Sequence, residues 1–181
     1  MELGLRRGTV AVEPHQAEWE AEARETIARL RSILRDAATD VQHVGSTAIR
    51  GIWAKPIIDI AVGVPDFQPL LDRNADLEAN GFIFRGEDHS GQLLYVCGGP
   101  GFRTHHIHAV IYQSEAWNNY LNLRDYLNCH EADAQAYSEL KQALAGRYPD
   151  DREAYTARKS PMVQEILTKA RRWREAQGGA S

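Results

Sequence analysis

The chain has 181 residues, 43% of them apolar and 25% charged, a balance that fits an ordinary soluble globular protein and not a disordered or fibrous one. With 21 basic and 25 acidic residues the formal charge is −4, so no overall field draws the chain to nucleic acid or anionic lipid, and neither partner is expected. No apolar run approaches the ~20 residues of a membrane helix, residues 1–8 lack the apolar core of a secretory signal, and Cys97 and Cys129 form no spacing motif, so the expected setting is a reduced cytoplasm.

Residues 9–13 alternate weakly and are predicted as a short strand. A helix is predicted over 14–36, where Trp19, Ala23, Ile27, Leu30 and Leu34 recur at three- and four-residue spacing. A strand over 41–44 stops at Gly45, and 46–56 has no period and reads as a loop with room for one helical turn. Residues 57–64 form the strongest strand, rich in β-branched side chains and closed by Pro65. A helix over 67–79 ends at Asn80-Gly81. Strands follow over 82–85, 92–97 and 103–112, the last two joined as an antiparallel hairpin by Gly98-Gly99-Pro100-Gly101. From Ser114 the chain is helical, with Trp117, Leu121, Arg124 and Leu127 in one helix and Tyr137, Leu140 and Leu144 in the next. The last helix covers 151–176 and Pro161 interrupts it, marking a kink or a fresh start, while 177–181 should fray. The order of elements predicts one α+β domain over 1–181: a small mixed or antiparallel sheet within 9–112, backed by helices, and a helical part over 114–176.

Alternation along strands sorts side chains by face. Ile58, Ile60, Val62 and Val64 share the buried face of their strand, and Asp59, Ala61 and Gly63 share the other. In the later strand His105, Ile107, Ala109 and Ile111 lie on one face and His106, His108 and Val110 on the opposite one. If one sheet face is open, Asp59, His106 and His108 emerge together, with room beside them at Ala61 and Gly63. His-x-His on a strand has metal-ligand spacing, and equally serves as a bonding partner of carboxylates or backbone. Gly45-Ser46-Thr47 can bend closely and offer hydroxyls and N–H groups to an anion, or can simply cap a helical turn. Lys55 either neutralises a phosphate or is solvated. Trp53 and Tyr95 are read as packing residues, with cleft lining as the alternative. Gly45 to Gly51 superficially resembles a P-loop, but no lysine follows the second glycine.

The segment His43-Val44-Gly45-Ser46-Thr47-Ala48-Ile49-Arg50-Gly51, followed by Ala54-Lys55-Pro56-Ile57-Ile58-Asp59-Ile60, resembles the hallmark of the GrpB family. The likeness continues through residues 12–19, the His-x-His strand, Leu123-Arg124-Asp125-Tyr126-Leu127 and Tyr155-Thr156-Ala157-Arg158-Lys159-Ser160. Arg50 and Leu123 depart from the usual Pro and Phe. The resemblance implies a fold of nucleotidyltransferase type, in a family also found fused to dephospho-CoA kinases. It further implies that a Gly-Ser turn holds phosphates and that Asp59 stands for the first carboxylate of a metal-binding pair. Ala61 occupies the place of the second carboxylate, and histidines replace the third. Because Mg²⁺ prefers oxygen ligands, standard two-metal nucleotidyl transfer is disfavoured.

The expected site therefore has Asp59, His106 and His108 as catalytic or metal-ligating groups, with Mg, Mn or Zn as the candidate ion. His43, Gly45, Ser46, Thr47 and Lys55 are expected to hold the substrate or its phosphate, and Arg124 and Lys159 to clamp it from the C-terminal helices. The expected partner is a small molecule, nucleotide or coenzyme-like. Three functions remain open: a transferase-like enzyme acting on such a ligand, the same fold using Asp/His acid–base or transition-metal chemistry, and a non-catalytic binding module.

Overall fold

In a computed structural model that describes residues 2–89 and 91–178, the first half runs β1 (Leu5–Arg6), α1 (Glu18–Leu34), β2 (Asp40–Val44), β3 (Ile58–Val64), α2 (Phe67–Leu71) and α3 (Asn74–Ala79). The rest runs β4 (Ile83–His89), β5 (Gln92–Cys97), β6 (Phe102–Arg103), β7 (His105–Ile111), α4 (Glu115–Cys129), α5 (Glu131–Arg147) and α6 (Arg152–Gly178). The five-stranded sheet has the order β2-β3-β7-β5-β4. Only β3 and β7 are parallel, so the sheet is mixed, and the fold is α+β with C-terminal helices.

The β-branched strand β3 lies inside this sheet, and its Ile58, Ile60, Val62 and Val64 join Ile107 and Ala109 of β7 in the main core. The apolar stripe of α1 (Trp19, Ala23, Leu30 and Leu34) covers that face, with Leu70 and Leu77 beside it. A second core joins Ile49 and Ile52 to Tyr126, Leu127, Tyr137 and Ile166 of the C-terminal helices. Those helices are thereby docked onto the loop that follows β2, and this sets the walls of the site.

Several boundaries differ from the sequence reading, each for a physical reason. Residues 9–13 form no strand beyond an isolated bridge between Glu13 and Ala54. The N-terminal strand is instead β1, which pairs with β6. The helix expected over 67–79 is broken in two, and Asn74 at the junction accepts a 2.6 Å hydrogen bond from the Tyr95 hydroxyl. That bond and 1% exposure place Tyr95 in the core, away from any cleft. The hairpin of β5 and β7 is present, with Cys97 opposite His105, but its connection detours through β6. Pro161 does not restart α6, which runs through it from Arg152 to Gly178: the proline is exposed, so the Ala157 carbonyl that loses its helical donor lies on the solvent side. Gln177 and Gly178 are still helical, and the remainder of the tail expected to fray, 179–181, lies outside the described residues. Both cysteines are free, Cys97 half-buried and Cys129 exposed, and burial pushes the Cys97 thiol up to about 11. No helix among the described residues is long and apolar enough to cross a membrane.

The second sheet face is not open along its length. Trp117 of α4 packs with Val44, Ala61 and Val110. A Cβ on Gly63 would lie 2.9 Å from Tyr112 and 3.0 Å from Trp117. The small residues at 61 and 63 therefore make room for aromatic rings and not for a ligand, which corrects the expectation from strand parity. The end of the face at Asp59 and His106 opens onto a cavity.

Candidate functional site

Parallel pairing sets Asp59 of β3 level with His106 of β7, and Ala61 level with His108. His108 Nε2 lies 2.9 Å from Asp59 Oδ1, a hydrogen bond, whereas His106 Nδ1 lies 3.6 Å from the same oxygen. Ligand atoms of the three residues all fall within 4.8 Å of one another. A single ion with bonds of ~2.0–2.1 Å holds its ligands roughly 3–3.5 Å apart, so modest closure suffices to bind one. The His108 Nδ1 atom is buried and has no partner, and the ring packs 5.3 Å from Tyr120. Burial acts to raise the Asp59 pKa, but His106 and His108 outweigh it and hold the carboxyl well below the usual range. Asp59 is accordingly an anion at any physiological pH.

Gly45 is what lets the chain pass over this carboxylate. Its φ is 74° and ψ −173°, and an added Cβ would stand 2.7 Å from Asp59 Oδ2. Beyond it, Ser46 and Thr47 form a 3₁₀ turn whose residues line a cavity of about 270 Å³ together with Asp59, His106 and Lys55. β1 supplies Arg6 with Arg7 after it, β6 supplies Arg103, α5 supplies Lys141, and α6 supplies Arg152, Tyr155 and Lys159. Seven basic side chains thus surround one carboxylate. Among the described residues none of the seven forms an ion pair.

The cost of that crowding is visible in the lysines. Burial first, then Lys159 and Arg152, pull Lys55 down to about 8. Burial first, then Lys159 and Lys55, pull Lys141 down to about 7. Arg103 is lowered too, by burial and then by Arg85, Arg7 and Arg152. Lys55 and Lys159 hold their ammonium groups against the Tyr155 ring, 4.4 and 5.1 Å from its centre. A chain of net charge −4 has concentrated cations here around a single carboxylate, an arrangement that attracts anions.

Of the residues expected to bind phosphate, the structure brings Ser46, Thr47, Lys55 and Lys159 to the cavity wall with Asp59 and His106. His108 stands behind them. His43 and Arg124 are not part of it. His43 pairs with Ile60 and so points to the α1 side of the sheet, where its Nε2 lies 2.8 Å from Thr47 Oγ1. Burial, only partly countered by Asp59, lowers it to about 4, so it carries no charge for a phosphate at neutral pH. Arg124 donates to Gln42 Oε1 at 2.9 Å, to the His43 carbonyl at 3.0 Å and to Asp125 at 2.8 Å. It pins α4 to the sheet edge, and both residues line a separate cavity of about 710 Å³ behind the Ser46–Ala48 turn.

Sequence reasoning missed Arg6, Arg7, Arg103, Lys141 and Arg152. For Lys141 a signal existed: it sits on the buried stripe of α5, with Ala134, Tyr137, Ser138, Leu144 and Ala145, where an apolar residue belongs. For Arg6 and Arg103 there was none, because two-residue strands show no period.

A mixed sheet whose Gly-Ser turn folds over a carboxylate on the next strand defines an α+β fold of nucleotidyltransferase type. The same fold, with TM-score 0.52 and 18% identity over 74% of this chain and 43% of the other, is found in an RNA terminal U-transferase. Within that class the chain belongs to the GrpB family, whose model (GrpB protein) matches residues 9–169. It is 34% identical over 174 residues to the glutamate-rich protein GrpB of Alkalihalophilus pseudofirmus, covering 91% of this chain and 98% of that one. The conserved protein GrpB of Enterococcus faecalis superposes with TM-score 0.80 at 31% identity, over 88% of this chain and 98% of that one.

Proposed function

We propose that the protein binds and acts on a phosphorylated small molecule, a nucleotide or coenzyme-like compound, in the cavity beside Asp59. The observation that carries this reading is the ring of seven unpaired cations around a single carboxylate. Phosphate oxygens would take hydrogen bonds from Ser46 and charge from the lysines and arginines, leaving the reacting end of the ligand beside Asp59 and His106.

The donor set decides which metal fits. Two Mg²⁺ ions need several carboxylates, and Ala61 removes the second. Asp59 with His106 and His108 offers one oxygen and two imidazoles, a set that suits one Zn²⁺, Mn²⁺ or Fe²⁺ ion. Such an ion supplies Lewis-acid polarisation of an oxygen on the ligand. The residues themselves would fix its place: the missing side chain at Gly45 lets the loop close over Asp59, and the His108 bond holds one carboxylate oxygen toward the imidazoles.

The test is thermal unfolding with inorganic phosphate, ADP and ATP, each with and without Mn²⁺ or Zn²⁺. A ligand at a hundred times its Kd adds about 2.7 kcal/mol, which for a chain of this size raises the Tm by about 5–10 °C. Asp59→Ala should abolish the metal-dependent part of the shift. The metal-free part should remain, since the variant removes the only negative charge that lines the cavity among the described residues. Absence of any response to all three anions in the wild type would overturn the proposal.

A further inference from the structure

Of the seven cations Lys141 is the most deeply buried. Its residue is 2% exposed, its Nζ donates to the Trp53 carbonyl, and the ammonium lies 4.5 Å from the centre of the Tyr137 ring. One acceptor leaves two of its three donors free. Lys55, from the segment before β3, and Lys159, from α6, are half-buried beside the Tyr155 ring. Arg6, Arg7 and Arg152 are exposed at the mouth. The cavity thus has a closed lysine end and an open arginine rim, with Asp59 and His106 in the wall of the sheet.

The two kinds of cation suit different parts of an anion. Lysines are compact point charges that can approach one group from three directions, while arginine forks suit the planar edges of oxygens along a chain. A terminal phosphate is nearly a dianion and offers three non-bridging oxygens. An internal phosphodiester has one charge, two free oxygens and a substituent on each side. Around a lysine only 2% exposed, a second substituent has little room.

We infer that the ligand enters with a terminal phosphate foremost, as a monoester or the end of a phosphate chain, and that Lys141 is the residue that distinguishes it from a phosphodiester. This rests on the phosphate-ligand reading above and names the form of phosphate the site selects. Proton balance supports it. Burial with Lys159 and Lys55 leaves the Lys141 amine at about 7, so part of the population is neutral before the anion arrives. The other charged groups around the lysine end are Arg152 from α6, Arg103 from β6, Asp59 and His106. With Lys55 and Lys159 the cations outnumber the single carboxylate, so a dianion favours the protonated amine and its binding draws in a proton.

The experiment is calorimetry at pH 7.5 with ADP and with ADP methylated on its terminal phosphate, each in two buffers of different ionisation enthalpy. ADP should bind at least tenfold more tightly than its methyl ester and take up a fraction of a proton. Lys141→Met should lower ADP affinity about tenfold, bring it close to that of the ester and remove most of the proton uptake, Lys55 contributing the remainder. Lys141→Arg should keep the preference for ADP with the uptake similarly reduced. Equal affinity for the two nucleotides, or a Lys141→Met protein that binds ADP as the wild type does, overturns the inference. Should Lys141→Met fail to fold, the wild-type affinity ratio and proton count still decide it. If neither ADP nor inorganic phosphate binds, the phosphate reading itself falls; if phosphate and ADP bind but the ester binds equally, only the terminal-phosphate inference falls.

Discussion

Gly45 and Gly51 bracket the loop that crosses the site, and they separate backbone strain from steric conflict. Both have positive φ, 74° and 75°, where a side chain is strained. At Gly51 an added Cβ meets nothing within 4 Å, whereas at Gly45 it would strike Asp59 at 2.7 Å from Oδ2 and 2.9 Å from Cβ. The Gly45 backbone also has ψ −173°, a region that is essentially glycine's alone and costs other residues about 1–3 kcal/mol. Gly51→Ala should therefore lower the Tm by a few degrees and leave ligand and metal responses intact. Gly45→Ala should lower it further and also lose the metal response, because Asp59 must move. Thermal unfolding of both variants with and without Mn²⁺ checks this; equal metal responses would show that contact with Gly45 does not position Asp59.

At the level of elements, the same periodicities that made the site readable also marked where reading stopped. Alternation sorts the faces of β3 and β7, and matching their two apolar faces sets Asp59 on the same side as His106 and His108, so their meeting was legible from parity together with the apolar pattern. The cover on that face was not legible, since nothing local says that Trp117 of α4 folds back over Ala61 and Gly63. Nor was the arginine rim, which depends on pairing β1 with β6 across nearly a hundred residues of chain. Arg124 and Lys159 looked alike in the sequence, both basic and both on C-terminal helices. The structure separates them by partner: Arg124 is held by Gln42, the His43 carbonyl and Asp125, while Lys159 faces the cavity over Tyr155. Arg124→Met should thus loosen α4 from β2 and cost about 1.5–3 kcal/mol, the range for hydrogen bonds to charged groups, with phosphate binding unchanged. Lys159→Met should leave stability near wild type and weaken phosphate binding severalfold. Denaturant unfolding and phosphate titration of the pair test the distinction, and a reversed pattern would put the ligand in the cavity lined by His43 and Arg124.

Across the whole molecule, buried bases set how stability follows pH. His43 and His105 are lowered to about 4 from 6.5, burial being the largest cause for each. His105 is enclosed on the core face by Thr26 at 3.1 Å and Thr104 at 2.9 Å. Between pH 6.5 and 4 the unfolded chain binds these protons and the folded chain does not, so stability falls as pH falls through that window. Lys141 and Lys55, at about 7 and 8 against an ordinary 10.5, act in the same sense on the alkaline side. From about pH 7 upward the folded protein holds fewer protons than the unfolded one, so stability should keep rising toward pH 9, by at most ~1.4 kcal/mol per pH unit for each proton of difference. Most soluble proteins are instead at their most stable between about pH 5 and 8. Lys141→Met should flatten the alkaline limb and leave the acid limb unchanged, because only the alkaline limb draws on that amine. Saturating phosphate should flatten it as well, by keeping both lysines protonated in the folded state. Urea unfolding at unit intervals from pH 5 to 9 measures both limbs. A wild-type protein whose stability is level or falling between pH 7 and 9 would mean that the lysines are already charged and compensated, and that the cavity does not await an anion.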